Sequence, residues 1–204
     1  MLSSCTQHNT TPLTSMPPRA FPFPFRVGTD ICSISRIRSV ITKRNDGDPL
    51  RPLHQFLTRV LTSHEQQYFW QRFASADDIL TKTDAVAAFL AGRFAAKEAC
   101  RKACDHLDKN SRGFQRIMIL PVTSLDRNEH QSSRPQGLIL DEIYKARALS
   151  TDSTHAGFGH KAQSPLLLNV HELEGQLCEI SISHDEDFAT AVAIVPTTKG
   201  DSNL

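Results

Sequence analysis

The chain has 204 residues, 39% of them hydrophobic and 22% charged, which is typical of one globular domain with an extension. Its formal net charge of +1 gives no overall attraction to nucleic acid or to an anionic membrane, so neither is an expected partner. No apolar run approaches the roughly 20 residues that are needed to span a bilayer.

Residues 1–24 differ in composition from the rest of the chain. They contain no Asp or Glu and are rich in Ser, Thr and Pro. Such a segment buries too little apolar surface to pack, which predicts a disordered tail. A mitochondrial presequence is equally compatible with this acid-poor composition, although the prolines suit an amphipathic helix poorly. We expect the folded domain at 25–197 and a flexible C-terminus at 198–204.

The hydrophobic period changes within FRVGTDICSISRIRSVI, residues 25–41. Apolar residues alternate from Phe25 to Ile31, which predicts a short strand, and isoleucines then recur at helical spacing as far as Ile41. Asp30 stands at the junction, where its carboxylate could cap the new helix. A strand followed directly by a helix is therefore predicted.

Two further helices are predicted from their start signals. The sequence TSHE at 62–65 has the residue types of a capping box, in which the first and last side chains bond each other's backbone N–H groups. A helix is expected to begin there. Asp84 precedes a long alanine-rich helix that is expected to run to about Cys104.

The second half of the chain is predicted to be mainly β-structure. GFQRIMIL, residues 113–120, is expected to be a strand. Residues 122–164 show little periodicity and are predicted to be a low-complexity surface insertion that could hold a short helix at LILDEIYKARAL. LLLNV, CEISIS and FATAVAIV are expected to form an antiparallel meander with a tight turn at HDED. This grouping of helices and strands predicts an α+β fold.

The stretch FLAGRFAAKEACRKAC, from Phe89 to Cys104, places two opposite charges one helical turn apart. Glu98 and Lys102 share a face with the apolar Phe94. Taken alone, they are more typical of an exposed helix pair, which contributes roughly 0.2–0.5 kcal/mol. The neighbouring stripe of the helix carries Arg93, Lys97 and Arg101.

Asp30 offers a second interpretation of that helix. A carboxylate at the end of a strand and another on a helix packed nearby can together hold Mg²⁺, which completes its shell with water and substrate phosphate. Basic residues beside Glu98 would then neutralise the phosphates. A simple helix cap at Asp30 remains the alternative, and periodicity does not choose between the two.

A third group of polar residues lies in SISHDED, residues 181–187. Ser181 and Ser183 fall on one strand face and could donate hydrogen bonds to a phosphate or a ribose. His184 at the turn could do the same. The alternative is that His184 is an ordinary turn residue.

Three separated motifs resemble those of one family. VGTDICSISRI, LAGRFAAKEACRKA and ISISHDEDFATAVAIV, in this order, resemble the 4'-phosphopantetheinyl transferase superfamily in its short, holo-acyl-carrier-protein synthase type. RVLTSHEQQYF resembles the segment that the family places between its first two motifs. The KEA core of the middle motif is specific, whereas GTDI and SISH are specific only in company. The long N-terminal tail and the insertion are similar to those of eukaryotic, fungal members.

The resemblance implies a fold in which helices pack on an antiparallel sheet, and an enzyme of fatty acid biosynthesis. Such an enzyme transfers 4'-phosphopantetheine from coenzyme A to a serine of apo-acyl carrier protein and releases adenosine 3',5'-bisphosphate. Mg²⁺ would be held by Asp30 and Glu98, and Lys102 would contact the reacting phosphate. The serine would lose its proton to Glu98 or to a metal-bound water, and the sequence does not choose between them.

The other contacts of the family map onto further positions of this sequence. The resemblance implies that coenzyme A is bound by Arg93, Lys97, Lys102, Ser183 and His184. Arg36 matches a basic position that docks the acidic recognition helix of the carrier protein. Ser33 departs from the pattern, since the family often has Glu there, so a third acidic contribution to the metal shell is not implied. Arg101 gains no role and is expected to be a surface charge.

Two other functions compete with this transferase. A non-catalytic module that binds coenzyme A or a carrier protein would keep the fold, but a degenerate copy is expected to lose Asp30, Glu98 or Lys102 first. A Mg²⁺-dependent phosphohydrolase would need a water-activating base separate from the metal ligands, and none is evident. The family type further implies a homotrimer with the coenzyme A site between subunits. Mitochondria are the expected location, with the cytoplasm as the alternative.

Overall fold

One antiparallel sheet of five strands organises the part of the chain that the computed structural model describes, residues 23–43, 47–73, 75–104, 107, 111–121, 135–143 and 173–197. The strands are β1 (Phe25–Ser33), β2 (Ile117–Pro121), β3 (Pro135–Leu140), β4 (Gly175–Asp185) and β5 (Phe188–Pro196). Their order across the sheet is β1-β5-β4-β3-β2.

Helices cover one face of this sheet. The described helices are α1 (Ile34–Ile41), α2 (Arg51–Val60), α3 (Ser63–Arg72), α4 (Ala76–Thr81) and α5 (Thr83–Ala103), with a short 3₁₀ helix at Ser111–Arg116. α5 lies against β1, β5 and β4, while α1 packs on α5 and α2 packs on α1. The predicted α+β class, with helices on an antiparallel sheet, is confirmed. None of the described helices is both long enough and apolar enough to cross a membrane.

The two faces of β5 differ in the size of their side chains. The buried side chains are Ala189, Ala191, Ala193 and Val195. The exposed large ones are Phe188, Val192 and Ile194. α5 in turn buries a row of alanines, Ala91, Ala95, Ala96 and Ala99. Because both surfaces are built from small side chains, the helix can lie close to the sheet.

Gly28 marks a very close approach between α5 and the sheet. It is buried in β1, and a Cβ at this position would overlap the carbonyl oxygen of Ala99. Glycine therefore allows the backbone of α5 to approach β1 more closely than any residue with a side chain would allow. Residues two apart on a strand share a face, so Asp30 lies on the same side as Gly28, beside the last turns of α5.

The junction between β1 and α1 differs from the prediction. β1 extends to Ser33 because its pairing with β5 continues to Phe188, and α1 begins only at Ile34. The N-cap is Ser33, whose hydroxyl accepts a hydrogen bond from the Arg36 backbone N–H at 3.2 Å. Asp30 does not cap the helix, and its carboxylate lies on the α5 side of the strand.

The alternation predicted in β1 is present, but its larger apolar side chains face outward. Val27 is 57% exposed and Ile31 is 65% exposed, whereas Gly28 and Cys32 are buried. Hydrophobicity alone suggests the opposite orientation. The small residues lie on the inner face because the alanine-rich helix packs closely only against a surface of small side chains.

The capping box predicted at 62–65 is confirmed. The Thr62 hydroxyl accepts a hydrogen bond from the Glu65 backbone N–H at 3.4 Å, and the Glu65 carboxylate accepts one from the Thr62 backbone N–H at 2.8 Å. α3 begins directly after this cap, as expected. α5 runs from Thr83 to Ala103, so it begins two residues earlier than predicted, with Asp84 in its first turn, and ends one residue before Cys104.

The second half of the chain departs from the prediction in two places. GFQRIMIL is divided between the 3₁₀ helix and β2. Residues 135–140, predicted to lie in the low-complexity insertion and partly in a short helix, form β3. A short apolar run fits either period, and here pairing with β2 and β4 makes it a strand.

The β4–β5 hairpin with its tight turn is confirmed by the pairing of Asp185 with Phe188. β3 and β5 are the two neighbours of β4 in the sheet. The predicted LLLNV strand lies outside the described residues. So do most of the predicted tail, most of the insertion and the C-terminal segment at 198–204.

Candidate active site

Asp30 and Lys102 meet where β1 passes the end of α5. Lys102 Nζ donates hydrogen bonds to Asp30 Oδ1 at 2.8 Å and to the Thr29 carbonyl oxygen at 2.9 Å. The Asp30 side chain is 14% exposed and that of Lys102 is 54% exposed, so the pair borders solvent. The close approach at Gly28 makes this contact possible, since it brings the last turns of α5 to the strand.

Glu98 lies one helical turn before Lys102, on the same face of α5. Its side chain is 23% exposed, and its Oε1 accepts a hydrogen bond from Arg101 Nη1 at 2.9 Å. The Arg101 guanidinium also lies over the Phe114 ring, 4.8 Å from its centroid. The prediction that Arg101 is a plain surface charge is therefore wrong. Arg101 is the partner of Glu98.

The two carboxylates of this region suit a hard divalent cation. Mg²⁺ prefers oxygen ligands and is usually bound through one or two carboxylates while keeping several waters. Asp30 and Glu98 are both partly exposed on packed, regular elements, so solvent and a ligand can reach them. The described residues contain no cluster of three or more His, Cys, Asp or Glu side chains that could hold a metal. Two carboxylates are the number that such an ion usually takes from a protein, and here each is paired with a basic side chain, Asp30 with Lys102 and Glu98 with Arg101.

Lys97 precedes Glu98 in the chain but points into the interior. Its side chain has no exposed surface. Its Nζ lies 2.6 Å from Glu65 Oε2 and donates a second hydrogen bond to the Phe114 carbonyl oxygen at 3.0 Å. Burial lowers the pKa of the Lys97 amine, and the Glu65 carboxylate opposes this shift. The amine is thus bound entirely within the protein.

The predicted contacts of coenzyme A with Lys97 and Arg93 do not fit this fold. Arg93 is also buried, and its Nη1 donates a hydrogen bond to the Ile119 carbonyl oxygen at 3.1 Å. Burial lowers the pKa of the Arg93 guanidinium. The spacing of four residues correctly places both side chains on one face of the helix, but spacing alone does not say that this face turns inward.

Ser183 lies on the opposite side of the sheet from Asp30. Asp30 pairs with the buried Ala191 of β5, whereas Ser183 pairs with Thr190, which is exposed. Directly paired residues share a face and neighbouring residues alternate, so the two side chains diverge. His184 is exposed near the end of β4. Within one chain, Ser183 is therefore not brought to the Asp30 carboxylate.

Arg36 is exposed on α1, beside the face of α5 that carries Glu98. Its guanidinium lies 5.8 Å from the centroid of the Phe94 ring, and Phe94 stands one turn before Glu98. This position leaves a positive charge at the surface beside Phe94, on the α5 face that carries Glu98.

Glu65 is predicted from the sequence only as a helix cap, and the structure shows a wider role. Besides the capping bond, its carboxylate binds Lys97 and accepts a hydrogen bond from the Ile119 backbone N–H at 3.0 Å. Lys97 is 32 residues further along the chain. No local sequence pattern links two residues at that separation, so the ion pair between Glu65 and Lys97 could not be predicted from the sequence.

Comparison with known proteins identifies relatives over most of the chain. The family described as the 4'-phosphopantetheinyl transferase superfamily matches residues 26–193. The 4'-phosphopantetheinyl transferase B, mitochondrial, of Aspergillus fumigatus is 28% identical over 182 residues, covering 85% of this chain and 95% of that protein. A holo-[acyl-carrier-protein] synthase of Zymomonas mobilis is 37% identical over 116 residues, covering 57% of this chain and 73% of that protein.

Among solved structures, a holo-(acyl-carrier-protein) synthase from Bacillus anthracis in complex with CoA (3',5'-ADP) is similar at a TM-score of 0.44 and 21% identity, covering 85% of this chain and 96% of that one. The family match is the broader finding, because it extends from β1 into β5 and includes Asp30, Glu98 and Lys102. The chain belongs to the 4'-phosphopantetheinyl transferase superfamily.

Proposed function

We propose that the chain is a holo-acyl-carrier-protein synthase. It would transfer 4'-phosphopantetheine from coenzyme A to a serine hydroxyl of an apo-acyl carrier protein and release adenosine 3',5'-bisphosphate. The observation that carries the proposal is the contact between Lys102 and Asp30, with Glu98 one turn away on the same helix face. Transfer of a phosphoryl-linked group depends mainly on positioning and on neutralisation of charge. The two carboxylates and the exposed amine of Lys102 supply groups for positioning the substrate and for neutralising its charge.

We assign Asp30 and Glu98 as the residues that would hold Mg²⁺. When bound there, the ion would polarise the pyrophosphate of coenzyme A. The contribution of the chain is to keep two oxygen ligands on regular elements that pack tightly against each other at Gly28. We propose that the serine proton is accepted at Glu98, directly or through a water at the same carboxylate.

Lys102 is suited to neutralise phosphate oxygens at this border. An ammonium group carries three N–H donors. Within the described residues, hydrogen bonds to Asp30 and to the Thr29 carbonyl oxygen use two of them. The amine is largely exposed, so a further donor is available to a phosphate oxygen of the substrate, where it would stabilise the negative charge of the leaving bisphosphate.

We propose that Arg36 docks the carrier protein. It is exposed on α1, a helix with no acidic residue in its first turn, whereas Arg38 in the last turn is paired with Asp84 at 2.7 Å. A partner that presents an acidic helix would meet positive charge here, beside the carboxylates that hold the reacting groups. Docking at this point would bring the carrier's serine towards Glu98.

We propose that the chain assembles as a homotrimer through its outer sheet face. This face comprises Val27, Ile31, Leu177, Phe188, Val192 and Ile194, all exposed in the single chain. Val27 pairs with Ile194 across β1 and β5, and Thr29 pairs with Val192, so apolar side chains adjoin one another on this face beside threonines. Contiguous apolar patches of this kind mark interaction sites, and a second copy is the partner implied by the family type. The same face carries Ser183, which would then lie at a subunit boundary.

We propose a mitochondrial location. The Aspergillus fumigatus relative is named as mitochondrial, and residues 1–24 of this chain lack acidic residues. A fluorescent reporter fused to residues 1–25 should enter mitochondria. Uniform cytosolic fluorescence would contradict the proposal.

Loss of either carboxylate should abolish transfer. Wild-type protein with Mg²⁺, coenzyme A and an apo-acyl carrier protein should convert the carrier to its phosphopantetheine form, as measured by mass spectrometry. Asp30→Ala or Glu98→Ala should lower kcat by about 100-fold or more, because the developing charge is no longer neutralised. Asp77→Ala, on the exposed surface of α4, is the matched control and should react like the wild type. If the carrier's mass stays unchanged with the wild type, the proposed function is wrong.

The same assay separates carrier docking from chemistry. Arg36→Glu should raise KM for the carrier by about tenfold, since the new charge repels an acidic helix. KM for coenzyme A should stay near the wild-type value, which provides the internal control. Equal increases in both KM values would rule out the docking role.

Disruption of the outer sheet face should dissociate the assembly. Light scattering after gel filtration should give the wild type about three times the 22.7 kDa mass of one chain. Val192→Asp should reduce that mass to one chain, because it places a charge in the buried contact. Val40→Asp is the matched control, since Val40 and Val192 are both 40% exposed but Val40 lies on α1. A monomeric wild type, or equal dissociation by both variants, would contradict the proposal.

A further inference from the structure

One buried carboxylate connects α5 to the elements around it. Glu65 Oε2 accepts hydrogen bonds from Lys97 Nζ at 2.6 Å, from the Thr62 backbone N–H at 2.8 Å and from the Thr62 hydroxyl at 2.9 Å. Its Oε1 accepts one from the Ile119 backbone N–H at 3.0 Å. Glu65 is 4% exposed. The start of α3, the middle of α5 and strand β2 are thus joined at a single group.

Lys97 adds a further connection and is equally enclosed. It has no exposed surface, and its second hydrogen bond reaches the Phe114 carbonyl oxygen in the 3₁₀ helix. A buried ion pair tolerates little displacement, because moving one partner leaves the other charge unpaired in a medium of low dielectric constant. The pair therefore fixes both the position and the rotation of α5.

Apart from Arg93, whose Nη1 donates a hydrogen bond to the Ile119 carbonyl oxygen, the rest of the buried face of α5 is apolar and defines its rotation less sharply. Its core contacts include many alanines, among them Ala91, Ala95 and Ala99. Alanine allows close approach, but apolar contact is non-directional and a smooth surface resists rotation weakly. The hydrogen bonds of Lys97 have defined directions, so they specify the rotation that the alanines leave open.

Rotation of α5 matters because Lys97 and Glu98 are adjacent. Successive helical residues lie about 100° apart around the axis. When Lys97 is held towards Glu65 in the interior, Glu98 is turned to the partly exposed border with β1, and Lys102 lies one turn beyond it. A change in the rotation of α5 would carry both groups away from Asp30.

We infer that Glu65 is a positioning residue for the transferase site, acting through Lys97 to aim Glu98 and Lys102. This inference rests on the proposed function of Glu98 and Lys102. It differs from a purely structural role, in which Glu65 only stabilises the fold and any properly folded variant would have a normal site. A variant that lacks the ion pair but regains stability distinguishes the positioning role of Glu65 from a purely structural one.

The test compares Glu65→Gln, Lys97→Met and the double variant Glu65→Gln/Lys97→Met. Binding of Mn²⁺, followed by electron paramagnetic resonance, reports the carboxylate site independently of activity, since Mn²⁺ takes the same oxygen ligands as Mg²⁺. Thermal unfolding is measured on the same samples. Transfer is measured at a temperature at which circular dichroism shows each variant to be folded.

Each single variant should bind Mn²⁺ about tenfold or more weakly and lose about 10- to 100-fold in kcat, because supporting groups and small displacements have effects of this size. The double variant removes the unpaired buried charge and should recover part of the melting temperature, although the glutamine amide offers one acceptor oxygen where the carboxylate offers two. Its Mn²⁺ affinity and kcat should remain low. Asp78→Asn, which breaks the exposed pair with Lys82, is the matched control and should change neither.

Folded Glu65→Gln with wild-type Mn²⁺ affinity and kcat would overturn the inference. So would a double variant that regains stability, Mn²⁺ affinity and kcat together. If a single variant does not fold, the Mn²⁺ affinity and kcat of the double variant test the positioning role instead. A wild type that binds Mn²⁺ but modifies no carrier would reject the proposed function alone, and the Mn²⁺ affinities would still decide the positioning role. A wild type that binds no Mn²⁺ would overturn the positioning role, while the mass of the carrier would still decide the proposed function.

Discussion

The close approach of α5 to β1 at Gly28 is the constraint on which the rest of this structure depends. The Ala99 carbonyl oxygen occupies the space in which a Cβ would lie. That approach lets Lys102 reach Asp30 and places Glu98 at the same border. A site for a cation and a phosphate needs charged groups at fixed, short separations. Helix-on-strand packing supplies them here, because a close-packed interior resists displacement.

The sheet serves two purposes through its two faces. Its inner face is shallow, with alanines on β5 and Gly28 on β1, and it receives the helix that carries the charged groups. Its outer face carries the larger apolar side chains together with Ser183. In the proposed trimer this outer face is buried between subunits. The coenzyme A contact predicted at Ser183 then requires the assembly, because one chain alone holds Ser183 away from Asp30.

Local signals in the sequence predict those parts of the fold that local interactions determine. The capping box at Thr62 depends on neighbouring residues and is confirmed, and α5 lies within about two residues of its predicted bounds. The sequence predicts that Asp30 meets α5 through a cation shared with Glu98, whereas in the structure Asp30 accepts a hydrogen bond from Lys102 of that helix. The helix cap considered for Asp30 is provided by Ser33.

Long-range choices could not be predicted in the same way. Periodicity places Arg93 and Lys97 on one helix face, but whether this face is buried depends on Glu65, which is distant in sequence. The apolar run of β3 becomes a strand only through its neighbours in the sheet. In each case the sequence pattern is compatible with two outcomes, and tertiary contacts select one.

The most direct test of this account is the transfer rate and melting temperature of Gly28→Ala compared with Gly92→Ala. At Gly28 the added Cβ meets backbone of α5, so the helix must move and destabilisation of about 1–3 kcal/mol is expected. At Gly92 it meets only the Cγ2 methyl of the Ile182 side chain, at 3.1 Å, and no backbone. The account predicts that Gly28→Ala loses most of its transfer rate even where it is folded, while Gly92→Ala retains both properties. A Gly28→Ala variant with wild-type rate and stability would contradict it.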